Sequence, residues 1–299
     1  MVTGLEAAYA SCEHAARSHY ENFPVASRLL PARMRPHVAA VYAYARLADD
    51  IADEGEVDAA RRHARLDEWT SRLHASVAGT IIDAGTSTLD SATRELAPAV
   101  FTATAHTIRS IDLPIELFDD LVSAFRQDIT VKSYDSWSSL FDYCRRSANP
   151  VGRLVLRIGG WRSADLDAAS DAVCTALQLT NFWQDLAIDW RRGRLYVPAE
   201  EHQRAGASLD ALDRGELTDQ WRQALSQSSA RTRELFDRGR AVCDGVTGRM
   251  RYELRATWLG GLRVLDQLKA SDFDVFHTRP SLGMSDVPAL AWGAVWWRR

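Results

Sequence analysis

Between Gln178 and Asp189, polar side chains able to chelate fall at 178, 181, 185 and 189, in steps of three, four and four. An α-helix stacks such a series along one face, and the intervening Leu179, Phe182, Leu186 and Ile188 supply apolar surface to bury the rest of that helix. A second stretch repeats the arrangement. Tyr42, Arg46, Asp49 and Asp53 follow steps of four, three and four among Val41, Ala45, Ala48, Ile51 and Ala52. The chain must therefore fold so as to tolerate two carboxylate ladders in apolar surroundings.

One Asp pair at this spacing is ordinarily a solvated helix face. Two ladders among apolar residues point elsewhere, because unpaired carboxylates repel one another and are costly to bury. Cations would hold them together, and carboxylate and amide oxygens suit a hard divalent ion. Mg²⁺ commonly takes one or two carboxylates, several waters and a substrate phosphate, so the implied ligand is a diphosphate held between two helices.

The remaining apolar spacing is helical nearly everywhere, and no alternating strand pattern bounded by turn residues occurs. The spacing predicts an all-α chain with helices near Leu5 to Tyr20, Ala32 to Glu54, Asp58 to Val77, Ser91 to Ile111, Glu116 to Val131, Trp137 to Ile158, Asp165 to Arg191, Glu216 to Thr247, Met250 to Leu268 and Pro288 to Trp297. Breaks are expected at Pro24, at the Gly79 to Ser87 loop, at Pro114 and at Gly159-Gly160. No low-complexity linker divides the chain, so one domain over residues 1–299 is expected to bring the ladders together. A length of 299 residues with 46% hydrophobic content allows a sizeable core.

A net charge of -4 without a basic stripe argues against nucleic acid as a partner. Cys12, Cys144, Cys174 and Cys243 lie far apart and read as reduced packing residues of a cytoplasmic protein. The eight histidines lack zinc-type spacing and read as surface or capping residues. Arg126, Asp128 and Lys132 follow an apolar helix and either border a cavity or, the preferred reading, form a solvated helix end. No signal segment opens the chain, and the longest apolar run, Val287 to Trp297, is well short of the roughly 20 residues that span a bilayer. The end formed by Trp292, Trp296, Trp297, Arg298 and Arg299 suits either a membrane interface, at the inner face of the membrane, or packing against the bundle.

The Asp-Asp-x-x-Asp pattern ending at Asp53 and the Gln178 to Asp189 stretch resemble the two aspartate-rich signatures of the squalene/phytoene synthase family, which joins prenyl diphosphates head to head. Arg191-Arg192-Gly193-Arg194-Leu195-Tyr196-Val197-Pro198 and Asp272-Phe273-Asp274-Val275-Phe276 with Arg279 fit as well. Glu21 to Ser27, Ser147 to Gly152 and Asn181 to Asp189 narrow the resemblance to the branch that converts presqualene diphosphate to hydroxysqualene in squalene and hopanoid synthesis. The resemblance implies an isoprenoid synthase helical bundle around a deep central cavity. Two or three Mg²⁺ would sit at its mouth on Asp49, Asp53, Asn181, Asp185 and Asp189, with partner enzymes of the squalene pathway.

The same resemblance implies substrate contacts from His19, Tyr20, Asn22, Tyr42, Arg46, Gln178, Gln184, Arg194 and Tyr196. Tyr42 and Tyr143 are the aromatic candidates for stabilising a carbocation, with core packing the other reading of either. Water captures the cation, so no NADPH is expected, and no Gly-x-Gly-x-x-Gly follows a strand to bind one. The chain departs from the wider family in three places. Tyr20-Glu21-Asn22-Phe23 replaces a Ser-x-Ser-Phe strip, Ser147-Ala148-Asn149 replaces Val-Ala-Gly, and a tyrosine is lost near Gly261. These departures predict impaired joining of two farnesyl diphosphates, which needs a second diphosphate site, and they add polar groups able to hold a water. A non-catalytic assembly factor of the same fold would be expected to lack the ladders.

Overall fold

The computed structural model describes residues 4–18, 29–80 and 87–297. Those residues are helical with no β-strand among them, only one isolated bridge between Ser133 and Leu195. The chain forms two compact units, Met1–Thr130 with Arg153–Arg162, and Val131–Gly152 with Ser163–Arg299. His19, Tyr20 and Asn22, with the rest of the strip to Phe23, lie outside the described residues.

The first unit is built on α2 (Arg35–Asp53), which packs against α1 (Gly4–Ser18), α3 (Ala59–Ala78), α4 (Ser91–Ile111) and α5 (Glu116–Thr130). Pro36 opens α2, where its missing N–H costs nothing. Asp58 and Asp90 cap α3 and α4 by accepting from the Arg61 and Thr93 amides at 2.8 and 2.9 Å. The core centres on Tyr44, whose ring lies 5.5 Å from Trp69 and 5.4 Å from Phe118. Tyr9 joins α1, α2 and α4, its hydroxyl lying 2.8 Å from His106 Nδ1, 2.9 Å from Thr107 Oγ1 and 3.1 Å from His37 Nδ1. The expectation of surface or capping histidines fails here. It fails again at His202, which is buried and stacks on Trp221 at 5.3 Å.

The second unit surrounds the 28-residue α8 (Ala164–Arg191). Helices α6 (Trp137–Ser147), α11 (Asp219–Gly239), α12 (Val242–Gly245) and α13 (Gly248–Ala270) pack on it. Trp183, fully buried, donates its indole N–H to Thr232 Oγ1 of α11 at 2.8 Å. At Gly261 a Cβ would come within 2.4 Å of Phe236 and 2.8 Å of Leu177. The absence of a tyrosine side chain near that position thus has a packing cause, the close approach of α13 to α11 and α8.

The run of helices departs from expectation chiefly in three stretches. The run from Trp137 to Ile158 breaks at Ala148, and α7 (Asn149–Gly159) starts afresh, because Pro150 has no N–H for a continuous ladder. Two short helices, α9 (Ala199–Arg204) and α10 (Leu209–Asp213), follow Pro198 where none was expected. The run from Glu216 to Thr247 starts at Asp219, after its Thr218 cap, and is interrupted beyond Gly239. The last described helix is α14 (Val287–Val295). Among the described residues no helix is long and apolar enough to cross a membrane.

Candidate functional site

Each unit carries one of the two ladders. On α2 the buried face is Val41, Ala48, Ile51 and Ala52, while Tyr42, Arg46 and Asp49 are half-buried and Asp53 is exposed. On α8 Leu179, Phe182 and Leu186 are buried, and Gln178, Asn181, Asp185 and Asp189 form a half-buried stripe. Ile188, expected to help bury α8, is instead 37% exposed, because its position one residue before Asp189 turns it off the buried arc.

The α2 ladder is crowded with negative charge. Burial first, then Asp53, with smaller contributions from Asp128 and Asp50, push the Asp49 carboxyl up to about 7 against the lowering effect of Arg46. Solvent still reaches 40% of that side chain, so the cost to stability is screened below that of a sealed carboxylate. Arg46 lies along the same helix face, 2.9 Å from Asp50, 3.6 Å from Glu54 and 3.8 Å from Asp49. Asp128 of α5 is only 6% exposed, which corrects its reading as part of a solvated helix end. Its neighbour Arg126 pairs with Asp67.

The α8 ladder is held differently. Arg279 grips Asp185 with both arms of its guanidinium, Nε to Oδ1 at 2.5 Å and Nη2 to Oδ2 at 3.1 Å. Asn181 Nδ2 donates to the same carboxylate at 2.7 Å. Gln184 donates to the carbonyl of Pro280, next to Arg279. The strap carrying Arg279 leaves α13 through Asp272 and Phe273, both with positive φ, of 52° and 59°. Non-glycine residues take that conformation at a cost, met here by burial of Phe273 and Val275 and by a 2.6 Å pair between Arg222 and Asp272. Arg279 belongs to the signature seen in the sequence, yet its grip on Asp185 spans 94 residues and has no local pattern to announce it.

Beside α8 lies a cluster of rings. Tyr196 stacks flat on Phe182 at 3.7 Å, and Tyr143 lies 5.5 Å from Tyr134 and 6.2 Å from each of Phe182 and Tyr196. All four are buried. The turn of Gly193, with φ of 74°, and a 2.8 Å bond from the Leu195 amide to the Lys132 carbonyl bring Tyr196 there. Arg194 is half-buried, and its amide donates to the Asp189 carbonyl at 2.8 Å. At the break between α6 and α7, Asn149 accepts from Thr175 at 2.9 Å, and the Ser147 hydroxyl is buried without a hydrogen-bond partner.

Among the described residues no three His, Cys, Asp or Glu side chains converge closely enough to hold a metal ion by themselves. The donor set is nonetheless all oxygen, and beside the burial that chiefly raises Asp49 stand Asp53, Asp128 and Asp50, negative charge that a divalent cation would offset. Each ladder by itself thus offers oxygen donors suited to a cation such as Mg²⁺ that takes part of its coordination from an anionic ligand, rather than a closed protein cage.

Residues 16–286 match the model of the squalene/phytoene synthase family. The chain is 36% identical over 219 residues to the hydroxysqualene synthase of Zymomonas mobilis, covering 73% of this chain and 68% of that one. It is 34% identical over 254 residues to the hydroxysqualene synthase of Sinorhizobium fredii, covering 84% and 80%. Among solved structures, a squalene synthase from Alicyclobacillus acidocaldarius superposes with a TM-score of 0.80 at 37% identity, covering 90% of this chain and 95% of that one. The all-α expectation is borne out as the isoprenoid synthase fold, and the chain belongs to the squalene/phytoene synthase family, whose members act on prenyl diphosphates.

Proposed function

We propose that this enzyme converts presqualene diphosphate and water to hydroxysqualene and diphosphate, with Mg²⁺ as its cofactor. The observation that carries the reading is the pair of polar stripes, half-buried on α8 and running from half-buried Tyr42 to exposed Asp53 on α2, where burial and neighbouring carboxylates push Asp49 up to about 7. Two hydroxysqualene synthases at 36% and 34% identity support the choice of product. Intact ladders weigh against an assembly factor.

Asp49 and Asp53 from α2, with Asn181, Asp185 and Asp189 from α8, would hold the cofactor. Mg²⁺, when bound, supplies positive charge to the diphosphate oxygens and stabilises the leaving group. Arg46, Arg194 and Gln178 would donate to those oxygens directly, and Arg279 would have to loosen its grip on Asp185 for that carboxylate to serve. The carbon–oxygen bond to diphosphate breaks with both electrons leaving on oxygen. The cyclopropylcarbinyl cation so formed rearranges beside π faces, for which Tyr143 and its neighbouring rings are suited. Water adds to the rearranged cation and loses a proton. The orphaned Ser147 hydroxyl and the amide of Asn149 are the groups proposed to hold that water.

Product analysis after separate incubations with presqualene, farnesyl and geranylgeranyl diphosphates tests the reading. In ¹⁸O water the alcohol should carry the label, and its yield should not depend on NADPH. An unlabelled alcohol, or squalene formed only with NADPH, refutes it. The squalene synthase at 37% identity favours a second reading, a complete head-to-head synthase. Our reading expects farnesyl diphosphate to be used at least roughly a hundredfold less efficiently than presqualene diphosphate, and comparable kcat/KM values would favour the second.

A further inference from the structure

From Val287 to Trp297 the chain has no charged side chain and no side-chain hydrogen-bonding group beyond three indoles. A helix apolar on every side is ordinarily buried in a core or in lipid, yet Ala294 is the one buried residue of α14. Val287 is 50% exposed, Trp292 66%, Val295 61% and Trp296 56%, and Met284 just before the helix is 86% exposed. Trp292 and Trp296, one turn apart, lie side by side with ring centroids 5.1 Å apart. These exposed apolar side chains gather on one short helix instead of lying scattered singly over the surface.

The inner edge of α14 is fixed on α13, running antiparallel to it. Asp286 pairs with Arg263 at 2.9 Å, Gly293 lies against Leu259, and the Ala294 carbonyl accepts from Arg255 at 3.3 Å. The far end of α14 therefore lies by the start of α13, and that end is basic. The guanidinium groups of Arg240 and Arg255 stand over the Trp297 ring at 4.6 and 5.1 Å, and exposed Arg249 occupies the first turn of α13. Asp244 offsets part of this charge by pairing with Arg255 at 3.1 Å. Arg298 and Arg299 follow Trp297 in sequence.

We propose that α14 is the face by which the second unit docks on an anionic lipid bilayer, lying in the plane of the headgroups. Tryptophan side chains favour that zone, where the ring is apolar and the N–H stays wet, and arginines at one end complement lipid phosphates. The helix is too short to cross, so the mode is interfacial. If the proposed reaction holds, the uncharged, lipophilic alcohol would leave into the bilayer alongside, but docking itself is independent of that chemistry.

Co-sedimentation of the full chain with vesicles of phosphatidylcholine containing phosphatidylglycerol tests the proposal without substrate, so its failure is separate from failure of the reaction. The wild type should sediment with these vesicles, less at high salt and less with phosphatidylcholine alone, and its tryptophan emission should shift to the blue. The double variant Trp292→Ser with Trp296→Ser should keep its circular dichroism and lose at least about tenfold in partitioning. Arg249→Ser should weaken binding to the anionic vesicles specifically. A wild type that stays in the supernatant, a double variant that binds as well as the wild type, or tryptophans that instead hold two copies together by sedimentation equilibrium would each overturn the proposal.

Discussion

On α2, Asp49 faces other carboxylates, Asp53 and Asp128, and its nearest cation, Arg46, comes from the same helix. On α8, Asp185 has Arg279 across both oxygens, brought from a strap 94 residues away. Both ladders place an Asp pair four residues apart on a polar helix face, yet on α2 repulsion and burial outweigh Arg46, whereas on α8 a counter-charge spans the whole carboxylate. Spacing thus places charges on a helix face, and the tertiary neighbours decide what those charges require. On the proposed reading the α2 ladder would take up a cation directly, whereas the α8 ladder would exchange Arg279 for one.

The largest expected effect removes a ligand from either side. Asp49→Asn and Asp185→Asn should each lower turnover of presqualene diphosphate about a thousandfold or more with the fold retained. Near-normal turnover in one of them would show that its ladder is not part of the machinery. The next effect separates the ladders by pH. A proton competes with metal at Asp49, so metal affinity, read by Mn²⁺ binding, should fall by up to about tenfold for each pH unit below about 7. Asp49→Asn should flatten that dependence, and a profile unchanged by the substitution would remove Asp49 from the site.

Legibility of the site followed the range of the interactions. The helix faces of α2 and α8 could be read because their spacing is local, and so could the caps at Asp58 and Asp90. Asp128 could not be read, because nothing in its own helix distinguishes a carboxylate turned inward from one in solvent. The bidentate use of Arg279 and the flat stacking of Tyr196 on Phe182 depend on chain reversals at Asp272-Phe273 and at Gly193. The break at Ala148 was within reach, since Pro150 in a helical run marks one.

A smaller effect probes the counter-charge. Arg279→Ala should raise metal affinity in the absence of diphosphate by about fivefold or less, the worth of a partly exposed ion pair. Arg46→Ala should change it by a smaller factor, because Arg46 lies nearer Asp50 and Glu54 than Asp49. An equal or larger change at Arg46 would erase the distinction between the ladders.

The smallest effect is on stability. The folded protein keeps a proton on Asp49 up to about 7, whereas an ordinary aspartate near 3.8 releases it far earlier. Folded protein therefore binds more protons than unfolded chain across that window, and stability falls as pH rises through it. Asp49→Asn should raise the Tm of metal-free protein by a few degrees above pH 7 and change it little near pH 4, whereas Asp185→Asn, which strands Arg279, should lower Tm slightly. An equal response at both sites would contradict the contrast.

The most direct test of the central claim is calorimetric titration of inorganic diphosphate into the wild-type protein with and without Mg²⁺. The account predicts tight binding only when Mg²⁺ is present, weakening as pH falls through 7 and lost in both Asp49→Asn and Asp185→Asn. Binding of equal strength in a chelator, or binding unaffected by either substitution, would contradict it.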